Sequence, residues 1–168
     1  YYPELDIPHV GMDDAQVGRA ATEYLIAQGH TRIGGIFKAD DGQGRRRYAG
    51  YLQAMRKAGI KVEGKRICWI DRQEMRESLT FSQRILERMK DCSACVCYND
   101  ELAHLLTTRA QAAGIRIPQD LSLVSVDNSE LARLNAVPLT SVAHPHDVLG
   151  VKAAENMLGL IPDPGGDA

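Results

Sequence analysis

One feature constrains the fold of this chain more than any other. Short apolar or β-branched runs alternate with longer stretches whose apolar residues recur every three or four positions, a rhythm that breaks only toward the end, at 138–142. That is the pattern of βαβ units and not of hairpins, whose tight turns leave no room for a helix between strands. Residues 8–12 read as a first strand. Residues 14–28 follow with Val17, Ala20, Ala21, Tyr24 and Leu25 on one helical face, ended by Gly29. Ile33 to Phe37 is the next strand, and residues 44–58 form a helix with Tyr48, Tyr51, Leu52 and Met55 inward, ended by Gly59. Three more strands are expected at Arg66 to Ile70, Ala94 to Tyr98 and Leu121 to Val126. Leu79, Ile85, Leu86 and Met89 stripe one intervening helix, and Leu102, Ala103, Leu106, Ala110 and Ala113 stripe another, stopped at Gly114. A short helix near 129–135 closes the series. Residues 138–142 are a brief extended piece, and His146 to Leu160 form a last helix with Val148, Leu149, Val151 and Met157 apolar. Such alternation demands parallel strands joined by right-handed crossovers, so the expected class is α/β: a parallel sheet flanked by helices in three αβα layers.

Composition narrows the partners. A formal net charge of -2 and a pI near 6.2 give this segment no field with which to grip a phosphate backbone. Any DNA binding is therefore expected from a domain outside it. Cys92, Cys95 and Cys97 crowd into an apolar run with Cys68 elsewhere, which suits reduced core thiols and a cytoplasmic setting. No apolar stretch approaches the ~20 residues of a membrane span. The chain opens on Tyr1 without Met, as a piece of a longer protein would.

In open parallel sheets, ligands bind beyond the carboxyl ends of the strands. The expected strand ends are followed by Asp13-Asp14, Lys38 with Asp40-Asp41, Asp71-Arg72, Asn99-Asp100 and Asp127-Asn128. Asp and Asn are also ordinary helix caps. Capping needs only one side-chain oxygen, however, so the second polar residue of each pair is left to face a cleft, and paired acceptors and donors suit vicinal hydroxyls. Gly42 to Arg47 lacks the spacing of a phosphate loop. Arginine in a first helical turn opposes the helix dipole and calls for a compensating partner. Cys92-Ser93-Ala94-Cys95 has no second pair at metal spacing, and the groups Asp100/His104 and His144/His146/Asp147 suit hydrogen bonding as well as metal ligation. No nucleophile elbow is present, and neither catalysis nor a cofactor is expected.

Several strings resemble one family. Asp13 to His30, Arg47 to Tyr51, Tyr98 to Ala103, Ile117 to Asn128 and Pro138 to Val142 are similar, in order, to the effector-binding core of LacI/GalR-type transcriptional repressors. Ile36 to Gly44 and Val10 to Asp14 look most like the arabinose-responsive repressors, which carry a GntR-type winged-helix DNA-binding domain. The resemblance implies a periplasmic-binding-protein-like core with one lobe nearly complete and the other partial. Residues 1–30 would belong to the N-terminal lobe, 31–144 to the C-terminal lobe, 145–161 to a crossover and N-terminal-lobe helix, and 162–168 to a linker or cut end. It implies Arg47, Asn99, Asp127 and His144 as ligand contacts, Asp13 as a contact from the N-terminal lobe, and Lys38 through the subgroup likeness. The partners implied are a sugar effector such as L-arabinose, a second copy in a homodimer, and operator DNA through the missing domain. A sugar-binding protein of a transport system would have the same fold.

Overall fold

The computed structural model of the chain describes residues 7–76 and 78–161. Five parallel strands, β1 (Ile33–Lys38), β2 (Ile67–Ile70), β3 (Ala94–Cys97), β4 (Ser122–Asp127) and β5 (Thr140–Ala143), lie in the order β2-β1-β3-β4-β5. The helices are α1 (Asp14–Ala27), α2 (Gly42–Lys57), α3 (Arg72–Arg76), α4 (Ser78–Met89), α5 (Asp100–Ala112), α6 (Glu130–Leu134) and α7 (His146–Leu160), with one 3-10 turn at Gly64–Arg66. The α/β class expected from the alternation is the one observed.

The strands of a fully covered sheet must be apolar on both faces, and their alternate residues feed two separate cores. Ile33, Phe37, Ala94, Val96 and Val124 point to one side, where they meet Ala21 and Leu25 of α1 and Tyr51 and Met55 of α2. Ile36, Cys95, Cys97 and Leu123 point to the other, where they meet Ile85 and Met89 of α4 and Leu102, Ala103, Leu106 and Ala110 of α5. All four cysteines are buried and unpaired, and burial pushes the Cys92 thiol up to about 11.

Gly29, Gly59 and Gly114 follow the helices with φ of 88°, 69° and 76°, the left-handed stops read from the sequence. Two other glycines act by their size. A Cβ on Gly18 would stand 1.9 Å from the Arg47 carbonyl oxygen, and one on Gly50 would stand 1.9 Å from that of Ala15. The two helices α1 and α2 therefore touch backbone to backbone.

Two expectations are corrected. No strand forms at 8–12, which fall outside the compact unit that holds the sheet, and the fifth strand of that sheet is β5, the segment read as a brief extended piece. The break expected at residue 30 is also misplaced. The chain divides into compact units between Met12 and Asp13 and between Ala143 and His144, so α1 belongs with the sheet whose core it shares. The other unit holds α7, an apolar helix with no buried residue of its own. Residues 1–6, the tail expected at 162–168 and the side chain of Leu79 lie outside the described residues.

At the β2 edge of the sheet, the Ile70 carbonyl turns toward β1 and accepts from Ala39 N–H at 2.8 Å. The alternate carbonyls therefore face outward. Arg88 of α4 donates to Ile67 O at 3.0 Å and Arg84 donates to Trp69 O at 3.4 Å.

Gly50→Ala should force α1 and α2 apart and lower stability by about 1–3 kcal/mol, the usual cost of overpacking. Thermal unfolding followed by circular dichroism checks this, and an unchanged midpoint would contradict the close seam.

Candidate functional site

The sheet has one topological switch point. From β1 the chain runs outward to β2 and then returns to β3 on the opposite side of β1. The loops after β1 and β3 diverge there, beyond Lys38 and Tyr98, and open sheets take their ligands in the crevice at such a point.

The side chains around that crevice form one connected network. Arg47 reaches it from the second turn of α2 and is only 3% exposed. Its Nε donates to Asp14 Oδ1 at 3.0 Å, its Nη1 donates to the Tyr98 carbonyl at 2.6 Å, and its guanidinium carbon stands 4.7 Å from the centre of the Tyr98 ring. The compensating partner demanded by the arginine is thus Asp14, itself 5% exposed. The Tyr98 hydroxyl donates to Asp41 Oδ2 at 2.8 Å, and the side-chain amide of Gln43 lies 3.3 Å from the same hydroxyl. Burial, then the bonded Asp41 carboxylate, hold the Tyr98 proton on well above the usual tyrosine range, and the charge of Asp127 adds to the effect. Lys38, at the end of β1, lies 3.5 Å from Asp40 and 3.4 Å from Asp41, with its Nζ 5.6 Å from the centre of the Tyr98 ring. Cations and acceptors alternate around one aromatic ring, an arrangement that can orient a small polyhydroxyl molecule.

Asn99 and Asp127 flank this network. Asn99 caps α5, its side chain accepting from Leu102 N–H at 3.0 Å. Asp127 ends β4 with φ of 106°, and Asn128 follows at 50°. Asp13, expected on an opposing lobe, instead belongs to the same compact unit as Arg47 and caps α1 by accepting from Gln16 N–H at 3.0 Å. His144 lies in the other unit, its ring stacked on that of His146 at 4.1 Å. The paired polar residues are also used differently from the expectation. Asn99 caps, but Asp100 turns inward and is 1% exposed, so it does not face the cleft.

Sequence reasoning placed Asp14 and Asp41 among the polar pairs after strands without naming either as a ligand contact, and it missed Tyr98 and Gln43 as side chains of the site. The charge of Arg47 announced that a partner was needed, but nothing local could choose among the acidic residues. The expected helix also began two residues late, so Arg47 was placed in the first turn when the chain puts it in the second. Among the described residues, no group of three or more His, Cys, Asp or Glu is placed to hold a metal ion, and no helix is long and apolar enough to cross a membrane.

Comparison with known proteins gives a consistent picture. A family described as periplasmic binding protein-like domain matches residues 22–168. The arabinose metabolism transcriptional repressor of Geobacillus stearothermophilus is 37% identical over 163 residues, which cover 95% of this chain and 45% of that protein. The HTH-type transcriptional repressor CytR of Escherichia coli K12 is 32% identical over 160 residues, covering 91% of this chain and 45% of that protein. Among solved structures, a transcriptional regulator CelR-cellobiose complex superposes with a TM-score of 0.84 at 28% identity, covering 96% of this chain and 51% of that one. A sugar-binding transcriptional regulator of the LacI family from Escherichia coli, complexed with phosphate, gives 0.83 at 25% identity, covering 95% and 56%. The chain thus spans less than half the length of these curated relatives, at 45% of each.

Arg47→Ala should cost about 3–5 kcal/mol, because it strands the Asp14 carboxylate without a partner in a buried site. The double variant Asp14→Leu/Arg47→Met, which removes both charges, should recover part of that loss. Urea unfolding of the wild type and both variants decides the matter, and a double variant no more stable than Arg47→Ala would contradict the pairing.

Proposed function

The chain belongs to the periplasmic binding protein-like domain family, and on that premise we propose that it is the effector-binding part of a cytoplasmic bacterial transcriptional repressor, with L-arabinose as effector. One observation carries the reading. The connected network of Lys38, Asp41, Tyr98 and Arg47 occupies the switch point of the sheet, where folds of this class take their ligands. Two relatives named for arabinose metabolism support the choice of sugar. The proposed contacts are Arg47, Asn99, Asp127 and Lys38, with Asp13 at the rim and His144 on the family resemblance alone. Operator DNA is contacted by a winged-helix domain of the GntR type outside this chain, and the repressor works as a homodimer.

The control is thermodynamic. A sugar changes operator affinity only by as much as it favours one arrangement of the repressor over another, and the coupling is reciprocal. The transport alternative is not favoured, because the relatives are repressors. They are not enzymes, which likewise favours binding without turnover.

Isothermal titration of the chain with L-arabinose, D-galactose and D-ribose tests the proposal. L-Arabinose is expected to bind most tightly, and Asp127→Asn should weaken it by roughly tenfold, the worth of one hydrogen bond to a charged group. Preference for another sugar would remove arabinose, and no heat with any of the three would remove the sugar reading.

A further inference from the structure

Asp100 is the first residue of α5, it is 1% exposed, and its carboxylate is surrounded by hydrogen-bond donors from Ser125, Ser129 and Ser141. Its Oδ1 accepts the hydroxyls of Ser125 at 2.5 Å and Ser141 at 2.6 Å. Its Oδ2 accepts both the N–H of Ser129 at 2.7 Å and the Ser129 hydroxyl at 2.8 Å. One carboxylate on α5 therefore gathers β4, β5 and the loop after β4.

The direction of these bonds has a consequence. A hydroxyl has a single proton to give, and a carboxylate can only accept. The Ser141 proton must point at Asp100, which turns the oxygen lone pairs of Ser141 outward, and there they accept Asn128 N–H at 2.9 Å. The chain of donation runs from Asn128 N–H to the Ser141 hydroxyl to Asp100. Asp127 and Asn128 are successive non-glycine residues with φ of 106° and 50°; asparagine enters the left-handed well readily, but 106° lies beyond that well and a side-chain-bearing residue keeps it only when its surroundings impose it. The two amides that follow Asp127 are both tied to Asp100, that of Asn128 through Ser141 and that of Ser129 directly.

We infer that Asp100 is a positioning residue of the ligand cleft: through Ser141 and Ser129 it imposes the left-handed turn at Asp127–Asn128 and so fixes how Asp127 is presented, without touching ligand itself. The part that concerns affinity rests on the sugar-binding reading above. The part that concerns the turn does not.

Asp100→Asn replaces a four-fold acceptor by one acceptor and one donor. The amide oxygen is needed by Ser129 N–H, which cannot reverse its role, so the NH2 group faces Ser125 and Ser141. The Ser141 proton then has no acceptor in this side chain and must turn away, so the hydroxyl is no longer held in the orientation that offers a lone pair to Asn128 N–H. Amide hydrogen exchange, thermal unfolding and L-arabinose titration are measured on the wild-type chain, Asp100→Asn, Ser141→Ala and the double variant. Exchange at Asn128 should rise roughly tenfold or more in each variant, and exchange at Val96 in β3, once corrected for global stability, should stay unchanged. Ser141→Ala should leave the Ser129 amide protected, and at Asn128 the double variant should add little to either single change, as members of one chain do. L-Arabinose affinity should fall by roughly tenfold in Asp100→Asn and in Ser141→Ala.

Unchanged exchange at Asn128 in both single variants would overturn the positioning role. So would faster exchange with an undiminished affinity. If Asp100→Asn does not fold, Ser141→Ala decides the same two questions. If the wild type binds no L-arabinose, the sugar reading fails, and exchange at Asn128 and Ser129 still judges the turn.

Discussion

The arrangement of the cleft depends on one guanidinium held away from water. Arg47 joins α1 through Asp14, its own helix α2, and the end of β3 through the Tyr98 carbonyl. Taking a charge pair out of water costs several kcal/mol, and the pair recovers it only when geometry is good and the remaining donors are met. Here the geometry comes from elsewhere. The glycines at 18 and 50 let α1 and α2 meet at backbone distance, and that seam brings Asp14 within 3.0 Å of Arg47. A sequence detail with no chemistry of its own thus delivers the charged group on which the crevice wall is built.

The layers of the fold were legible because they follow from periodicity. Alternate residues of β1, β3 and β4 serve two cores, and the helical stripes at Ala21 and Leu25 or at Leu102 and Leu106 face the sheet as their spacing requires. The lobe boundary was not legible, since α1 looks alike whether it covers this sheet or another. Residues 8–12 show the same limit from the strand side, for extended apolar character says nothing about whether a neighbour will supply the ladder.

At the site, the doubling of polar residues after strands had a physical meaning different from the one expected. Asp13, Asp41 and Asn99 cap their helices, while Asp14, Asp40 and Asp100 turn to Arg47, Lys38 and a cluster of serines. One residue satisfies the helix and the other satisfies the protein. The exception is Asp127-Asn128, where α6 begins after Ser129 and neither residue caps. Freed from that duty, the pair takes up a left-handed backbone, and the family resemblance had singled out its first member. What sequence could not reveal was the partner of each buried charge, because Asp14 and Arg47 are 33 positions apart and meet only through packing.

The outer edge of the sheet bears on how such a chain behaves in a crowded solution. An open strand invites any passing extended polypeptide to add itself, and so begins the stacking that ends in fibres. On β2 the outward carbonyls of Ile67 and Trp69 are already engaged by Arg88 and Arg84. An incoming strand would have to displace two cations from α4 before finding an acceptor, and it would meet like charges if it carried basic residues. That border of the molecule is guarded against templated growth by side chains from its own neighbouring helix.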